Sequence, residues 1–484
     1  MPRDREAFGW GRGAGRLAAL VLAAALAPPA LAAVPIQQRV LGNGLTVIVV
    51  EDHAQPLVTV EIAFRTGSMN EPPEYNGLSH LYEHMFFKAN EVLPDQEAWL
   101  ARARALGMVW NGTTNTERVN YFFSTTTDHL AETMTFMRDA IVSPRFDPGE
   151  LERERVVVTG EIDRNEANPF YHSFVGTQRR VFWKYPSRKD PLGTRAAVLA
   201  TTPEKMRTIQ RRYYVPNNGA LVVTGDVAAA EVFAQAERLY AGWKRGPDPF
   251  VKFPLVKHPP LPYTSVVLVE QPVRGVAGQL VWHGPSTVPT QFADTYAADL
   301  VGYAVAEPSS RFQRALVDSG LCLQAGLSWY TQRNVGPITA GFQARPEKAR
   351  DCVQAIRAEL ERMAAPDYFT DDELANAAFR AEVEQVRNRE TPSELAHSLS
   401  FWWASASLDY YTTYVENLRK AGRPDIARFL RRWVLGKPFV LGAMMSPETA
   451  QGALSLASLE RLVGARPWPP AGKGPAQAAK EGTP

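Results

Sequence analysis

The sequence predicts an α+β protein built of two tandem homologous α/β sandwich domains joined by a proline-rich linker. Two observations carry this reading. Runs rich in β-branched residues alternate with charged helical runs, and the same order of runs recurs after about 220 residues, on either side of a proline-dense stretch.

In chain order, the first segment reads as an export signal. Arg3, Arg5, Arg12 and Arg16 precede the apolar run LAALVLAAALAPPALA, which ends in the small-residue pattern Ala30-Leu31-Ala32. Residues 1–32 are therefore expected to be removed after Ala32, placing the protein in the periplasm or outside the cell. The run is short for a bilayer span, Pro28-Pro29 interrupts it, and no later stretch offers a stable span.

The first copy, residues 33–245, opens with the strands LTVIVVED and LVTVEIAFRTGS. A further strand VNYFFSTTT, a long charged helix and a late strand GALVVTGDV follow. Residues 246–262 hold six prolines between Pro247 and Pro262 without periodicity and read as an extended linker. The second copy, residues 263–470, repeats the order with TSVVLVEQ, AGQLVWHG, ITAGFQARP and FVLGAMM. FDPGEL at Phe146 answers to FTDDEL at Phe369, and the same spacing pairs Glu161 with Glu384 and Pro169 with Pro392. Residues 471–484 have the composition of a disordered tail.

Composition excludes some functions. With 53 Lys and Arg against 51 Asp and Glu, the net charge of +2 gives no footprint for nucleic acid and no polybasic patch for a membrane surface. Cys322 and Cys352 are the only cysteines, either a disulfide or two buried thiols. Two cysteines cannot make a four-thiolate zinc site, so a metal would need histidine and carboxylate ligands.

Such ligands stand in GLSHLYEHMFFKAN. On a helix His80 and His84, four apart, share one face, and Glu83 lies on nearly the same side. This is the inverted zinc-protease pattern H-x-x-E-H. Leu81, Met85 and Phe86 make the flank apolar, so core histidines on a buried helix are the plainer alternative. A catalytic zinc needs a third protein ligand, and FDPGELERERVVVTGEIDRNE offers carboxylates. Asp147 and Pro148 suit a helix start, and Glu150 suits a capping box. Glu154 and Glu161, seven apart, fall on one line, and Val156, Val157 and Val158 make the segment apolar enough to pack. In the second copy Glu154 becomes Ala377, and nothing like HLYEH occurs near Asp299 to Tyr303. A set needed only for folding should survive in both copies, whereas a working site need survive in one.

HLYEH, the 77 residues from His84 to Glu161, and NGTTNTERVNYFF from Asn111 together resemble the pitrilysin (inverzincin) family of zinc metallopeptidases. The closest in size are its short bacterial members and the mitochondrial processing peptidase subunits. The resemblance spans about Ile36 to Arg466. It implies half of a metallopeptidase clamshell, with one zinc ion per chain held by His80, His84 and Glu161. Glu83 is implied as the base and Glu154 as the supporting carboxylate. Asn111, Gly112 and Thr113 are implied as an edge strand that takes an extended peptide substrate. The activity implied is an endopeptidase for extended peptides and small unfolded proteins. A non-catalytic scaffold or assembly subunit of the same family is the alternative. Family members that complete such sites carry an Arg and a Tyr seven apart. Here those positions fall on Leu316 or Val317 and on Leu323, and Arg314 and Tyr330 are 16 apart. The expectation is a homologous partner subunit that supplies the pair, or a homodimer.

Overall fold

The computed structural model describes residues 35–469, so the export signal and the tail lie outside the described residues. The first sheet contains β1 (Gln37–Val40), β2 (Thr46–Glu51), β3 (Leu57–Phe64), β4 (Val109–Thr114), β5 (Val119–Thr126) and β6 (Gly219–Gly225), in the spatial order β1-β2-β6-β3-β5-β4. The second holds β7 (Ser265–Glu270), β8 (Val276–His283), β9 (Gln324–Trp329), β10 (Pro337–Ala344) and β11 (Val440–Met445), in the order β7-β11-β8-β10-β9. Without β1 the two orders are the same, and all the strands expected from the repeat are present. The chain is two tandem α/β units.

One expectation fails in detail. The opening strands of each copy read as hairpin partners, but β6 lies between β2 and β3, parallel to the first and antiparallel to the second. Every residue of β6 is buried. Such a continuously apolar strand is stable only at the centre of a sheet covered on both faces.

The period of two along β3 sorts the layers. Val58, Val60, Ile62 and Phe64 join the first apolar core, while Thr59, Glu61 and Ala63 face the other way. A one-residue slip would turn Glu61 into that core, so the register is strongly fixed. Six helices matter for function: α1 (Leu78–Phe86), α2 (Pro148–Glu166), α3 (Pro169–Val181), α4 (Phe292–Ala306), α5 (Asp371–Arg387) and α6 (Pro392–Ser405). Helix α6 belongs to the second copy yet packs on β3 and β6 of the first sheet. Its counterpart α3 belongs to the first copy and packs on β7 and β11 of the second. Both begin with a polar cap followed by proline, Asn168-Pro169 and Thr391-Pro392, which gives each a sharp start.

The proline-rich segment is not wholly extended. Asp248 caps a helical turn at Pro249–Lys252, and Leu261 is buried among Val181, Phe182, Val281 and Val440. Cys322 and Cys352 are joined in a disulfide with Cα atoms 5.3 Å apart, which decides between the two cysteine readings. Among the described residues no helix is long and apolar enough to cross a membrane.

Candidate metal centre

Helix α1 starts at Gly77, whose φ of 94° suits glycine, and a Cβ there would lie 2.9 Å from the Leu192 carbonyl oxygen. Buried Glu71 accepts the Gly77 and Ser79 N–H groups at 2.8 and 2.6 Å. Burial pushes its carboxyl up to about 7, against the pull of these hydrogen bonds. One side of α1 is anchored by Leu78, Leu81, Tyr82, Met85 and Phe86 in the core, where Tyr82 stacks on Tyr214 and Phe86 on Tyr121. His80, Glu83 and His84 are left on the half-buried side.

Helix α2 crosses this side. Its start is capped by Asp147, which accepts the Gly149 and Glu150 N–H groups. Glu150 does not complete a capping box. Its two oxygens accept Ala89 N–H at 3.0 Å and Gln96 N–H at 2.9 Å, tying down the chain that leaves α1 and capping the next helix. Only Val158 of the three valines is buried, while Val156 and Val157 are exposed. Three consecutive helical residues spread over some 200° and cannot all face a core.

Along α2, Glu154 and Glu161 both reach α1. Glu161 Oε2 lies 3.3 Å from His80 Nε2 and 3.6 Å from His84 Nε2. One donor atom from each of the three lies within 4.8 Å of the others, so the group could hold a metal ion. Glu154 Oε2 is 3.0 Å from His84 Nδ1, and its other oxygen is 2.6 Å from Lys88 Nζ. Burial and the neighbouring His84 lower His80 to about 4, which keeps its imidazole neutral with a free lone pair. For His84, burial lowers the pKa, but the Glu154 hydrogen bond and surrounding carboxylates outweigh it and raise the group. Burial raises Glu83, partly offset by the 2.6 Å hydrogen bond it accepts from Thr114 Oγ1. These donors suit zinc: two imidazoles and a carboxylate, with a second carboxylate fixing the tautomer of one imidazole.

Asn111, Gly112 and Thr113 lie on β4, the outer strand of the first sheet, opposite Phe122, Tyr121 and Asn120 of β5. Gly112 sits so close to α1 that an added Cβ would lie 2.7 Å from Glu83 Cγ. Sequence reasoning missed Lys88 and Glu71. Lys88 carries a signal, four residues past His84, whereas Glu71 gives none.

In the second copy, Asp299 and Tyr303 of α4 stand where the histidines would be, and Glu384 of α5 stands where Glu161 would be. Tyr303 donates a 2.5 Å hydrogen bond to Glu384, and Asp299 accepts one from Tyr414. Among the described residues, no second group of three could hold a metal. Leu316 is buried in the second core, Val317 is half-buried and Leu323 is exposed.

Residues 46–180 match the family model for insulinase (peptidase family M16), and residues 200–380 match that for the peptidase M16 inactive domain. The chain belongs to peptidase family M16. Within M16, it is 23% identical to the zinc protease PqqE of Helicobacter pylori, over 80% of this chain and 88% of that one. It is 26% identical to the uncharacterized zinc protease YmxG of Bacillus subtilis, over 40% of this chain and 47% of that one. Two solved structures share the M16 fold. A protease from Helicobacter pylori superposes with a TM-score of 0.77 at 20% identity, covering 85% of this chain and 100% of that one. The periplasmic protease PqqL of Escherichia coli superposes at 0.70 and 17% identity, covering 91% of this chain and 52% of that one. The inactive-domain match runs from the last part of the first copy into the second and includes Asp299 and Tyr303.

Proposed function

We propose that this chain is an exported zinc endopeptidase that cuts extended peptides and small unfolded proteins, working with a homologous partner subunit. The observation that carries the reading is the convergence of His80 Nε2, His84 Nε2 and Glu161 Oε2, with Glu154 behind His84.

His80, His84 and Glu161 would hold one zinc ion, and Glu154 would fix the His84 ring. Zinc supplies a Lewis acid that polarises a scissile carbonyl and acidifies water. Glu83 takes a proton from the attacking water and delivers it to the leaving nitrogen, a role suited to a carboxyl whose pKa burial has raised. The unpaired edge of β4 at Asn111, Gly112 and Thr113 takes the peptide as an added strand. Recognition is then of backbone, and folded proteins are spared.

Export is supported by the signal-like segment 1–32 and by the disulfide, which suits an oxidising compartment. PqqL, described as periplasmic, shares the fold. The partner is supported by the apolar side chains at Leu316, Val317 and Leu323, none of which can donate a hydrogen bond to a developing oxyanion. A second copy of this chain would bring the same apolar positions, so a homodimer supports activity only if other donors serve.

Glu83→Gln should keep zinc near wild-type occupancy and lose activity by orders of magnitude, while His80→Ala, His84→Ala and Glu161→Gln should lose the metal. Metal analysis beside a peptide-cleavage assay decides it. Cleavage retained by Glu83→Gln would end the proposed mechanism.

A further inference from the structure

The covered face of the first sheet carries a buried polar chain that ends at the edge strand. Glu61, fully buried on β3, accepts the Asn120 amide at 2.9 Å. It also bonds the Ser400 hydroxyl and His397 Nδ1 of α6. Arg118, 8% exposed, donates to Ser400 Oγ at 2.7 Å and to the His397 carbonyl at 2.9 Å. Ser400 therefore bridges a buried acid and a buried base, donating to one and accepting from the other. Both routes lead to β4. Thr113, opposite Asn120, donates its hydroxyl to the Asn120 side-chain oxygen, and Arg118 Nη2 reaches the same hydroxyl oxygen at 3.4 Å.

Strand β4 has a neighbour on one side only, so its position depends on such tethers. A hydrophobic helix would cover the sheet without burying two charges, which is costly unless they are fully bonded. We propose that His397 and Ser400, contributed by the second copy, are positioning residues that hold β4 in register for an incoming peptide, acting through Glu61, Asn120 and Arg118. The inference rests on the reading of β4 as the peptide-binding strand. It gives the inactive copy a part in substrate binding without contact with substrate.

The test uses the full zinc-loaded chain in a Glu83→Gln background, with a fluorescein-labelled, proline-free peptide that has no stable fold. Affinity is read by anisotropy, beside zinc content and melting temperature. Ser400→Ala and His397→Ala should each weaken binding about tenfold with zinc content unchanged. Arg118→Met should weaken it further, and Arg118→Lys should recover part of the loss. If Arg118→Met fails to fold, the two α6 variants carry the test. Unchanged affinity in folded, zinc-loaded Ser400→Ala and His397→Ala would overturn the proposal, even if both melt earlier, since that is what a purely structural role gives. N-methylation of the peptide at alternate residues, which stops it adding as a strand, separates the two readings. If methylation abolishes binding while the α6 variants bind normally, only the positioning role fails. If the methylated peptide binds normally, the reading of β4 fails and this inference with it.

Discussion

Replacing Glu154 by glutamine separates its two partners. Lys88 and Glu154 are 6% and 10% exposed at their side chains, so their ion pair is little screened by solvent. Burial raises Glu154, but the hydrogen bonds from His84 and Lys88 outweigh it and hold the carboxyl below its usual value of 4.5. Glutamine removes the charge and leaves Lys88 buried without a counter-ion, a change that costs about 3–5 kcal/mol. In a chain of this size the melting temperature should fall by roughly 3–6 °C. The amide oxygen can still accept the His84 Nδ1 hydrogen, but less strongly, so zinc affinity should fall about 10–100-fold. Adding Lys88→Met removes the stranded charge, and the double variant should regain most of the stability while its zinc affinity stays low. Calorimetry of the metal-free proteins and chelator competition for zinc measure the two effects separately. The pair also has a pH signature. Its contribution is full above the ordinary glutamate value and is lost as pH falls through the lower folded value, a loss absent from the double variant. Wild-type zinc affinity in Glu154→Gln, or a double variant no more stable than the single, would refute the reasoning.

Three other outcomes are expected. Thr113→Pro in the otherwise wild-type chain should cripple cleavage of unfolded peptides with little loss of zinc, read by turnover at equal metal content. The isolated chain should turn over about 100- to 1,000-fold more slowly than the chain mixed with a homologous subunit carrying the Arg and Tyr pair. Full activity alone would show the pair to be dispensable. Replacing Cys322 and Cys352 by serine opens a loop closed across 30 residues and should destabilise the second unit by about 3–4 kcal/mol, measured by denaturant unfolding under oxidising conditions.

The candidate site was largely legible because its ligands lie on two helices. A period of 3.6 residues fixes which of His80, Glu83, His84, Glu154 and Glu161 share a face, whatever the tertiary fold. The duplication also supplied a comparison within one chain, with Asp299 and Tyr303 standing where the first copy has its histidines. What depends on distant pairing was not legible. Nothing local says that β6 inserts between β2 and β3, because that contact joins residues some 160 apart. Glu61 gave no sign of its role, since His397 and Ser400 stand more than 330 residues away. Glu150 was placed on the right helix but given the wrong partner. The backbone groups it holds, at Ala89 and Gln96, are brought near only by packing.

The crossing of α3 and α6 bears on how such a chain could arise. Each copy lends the same helix to the other's sheet, so the exchange is reciprocal. A single ancestral copy folded this way would leave one face of its sheet bare and one helix without a bed. A second identical molecule, trading the same helix in return, would satisfy both. Gene fusion would then need only a tether between two chains already interlocked. Once tethered, one half can hold Asp299 and Tyr303 in place of histidines while still covering the sheet of the half that has them.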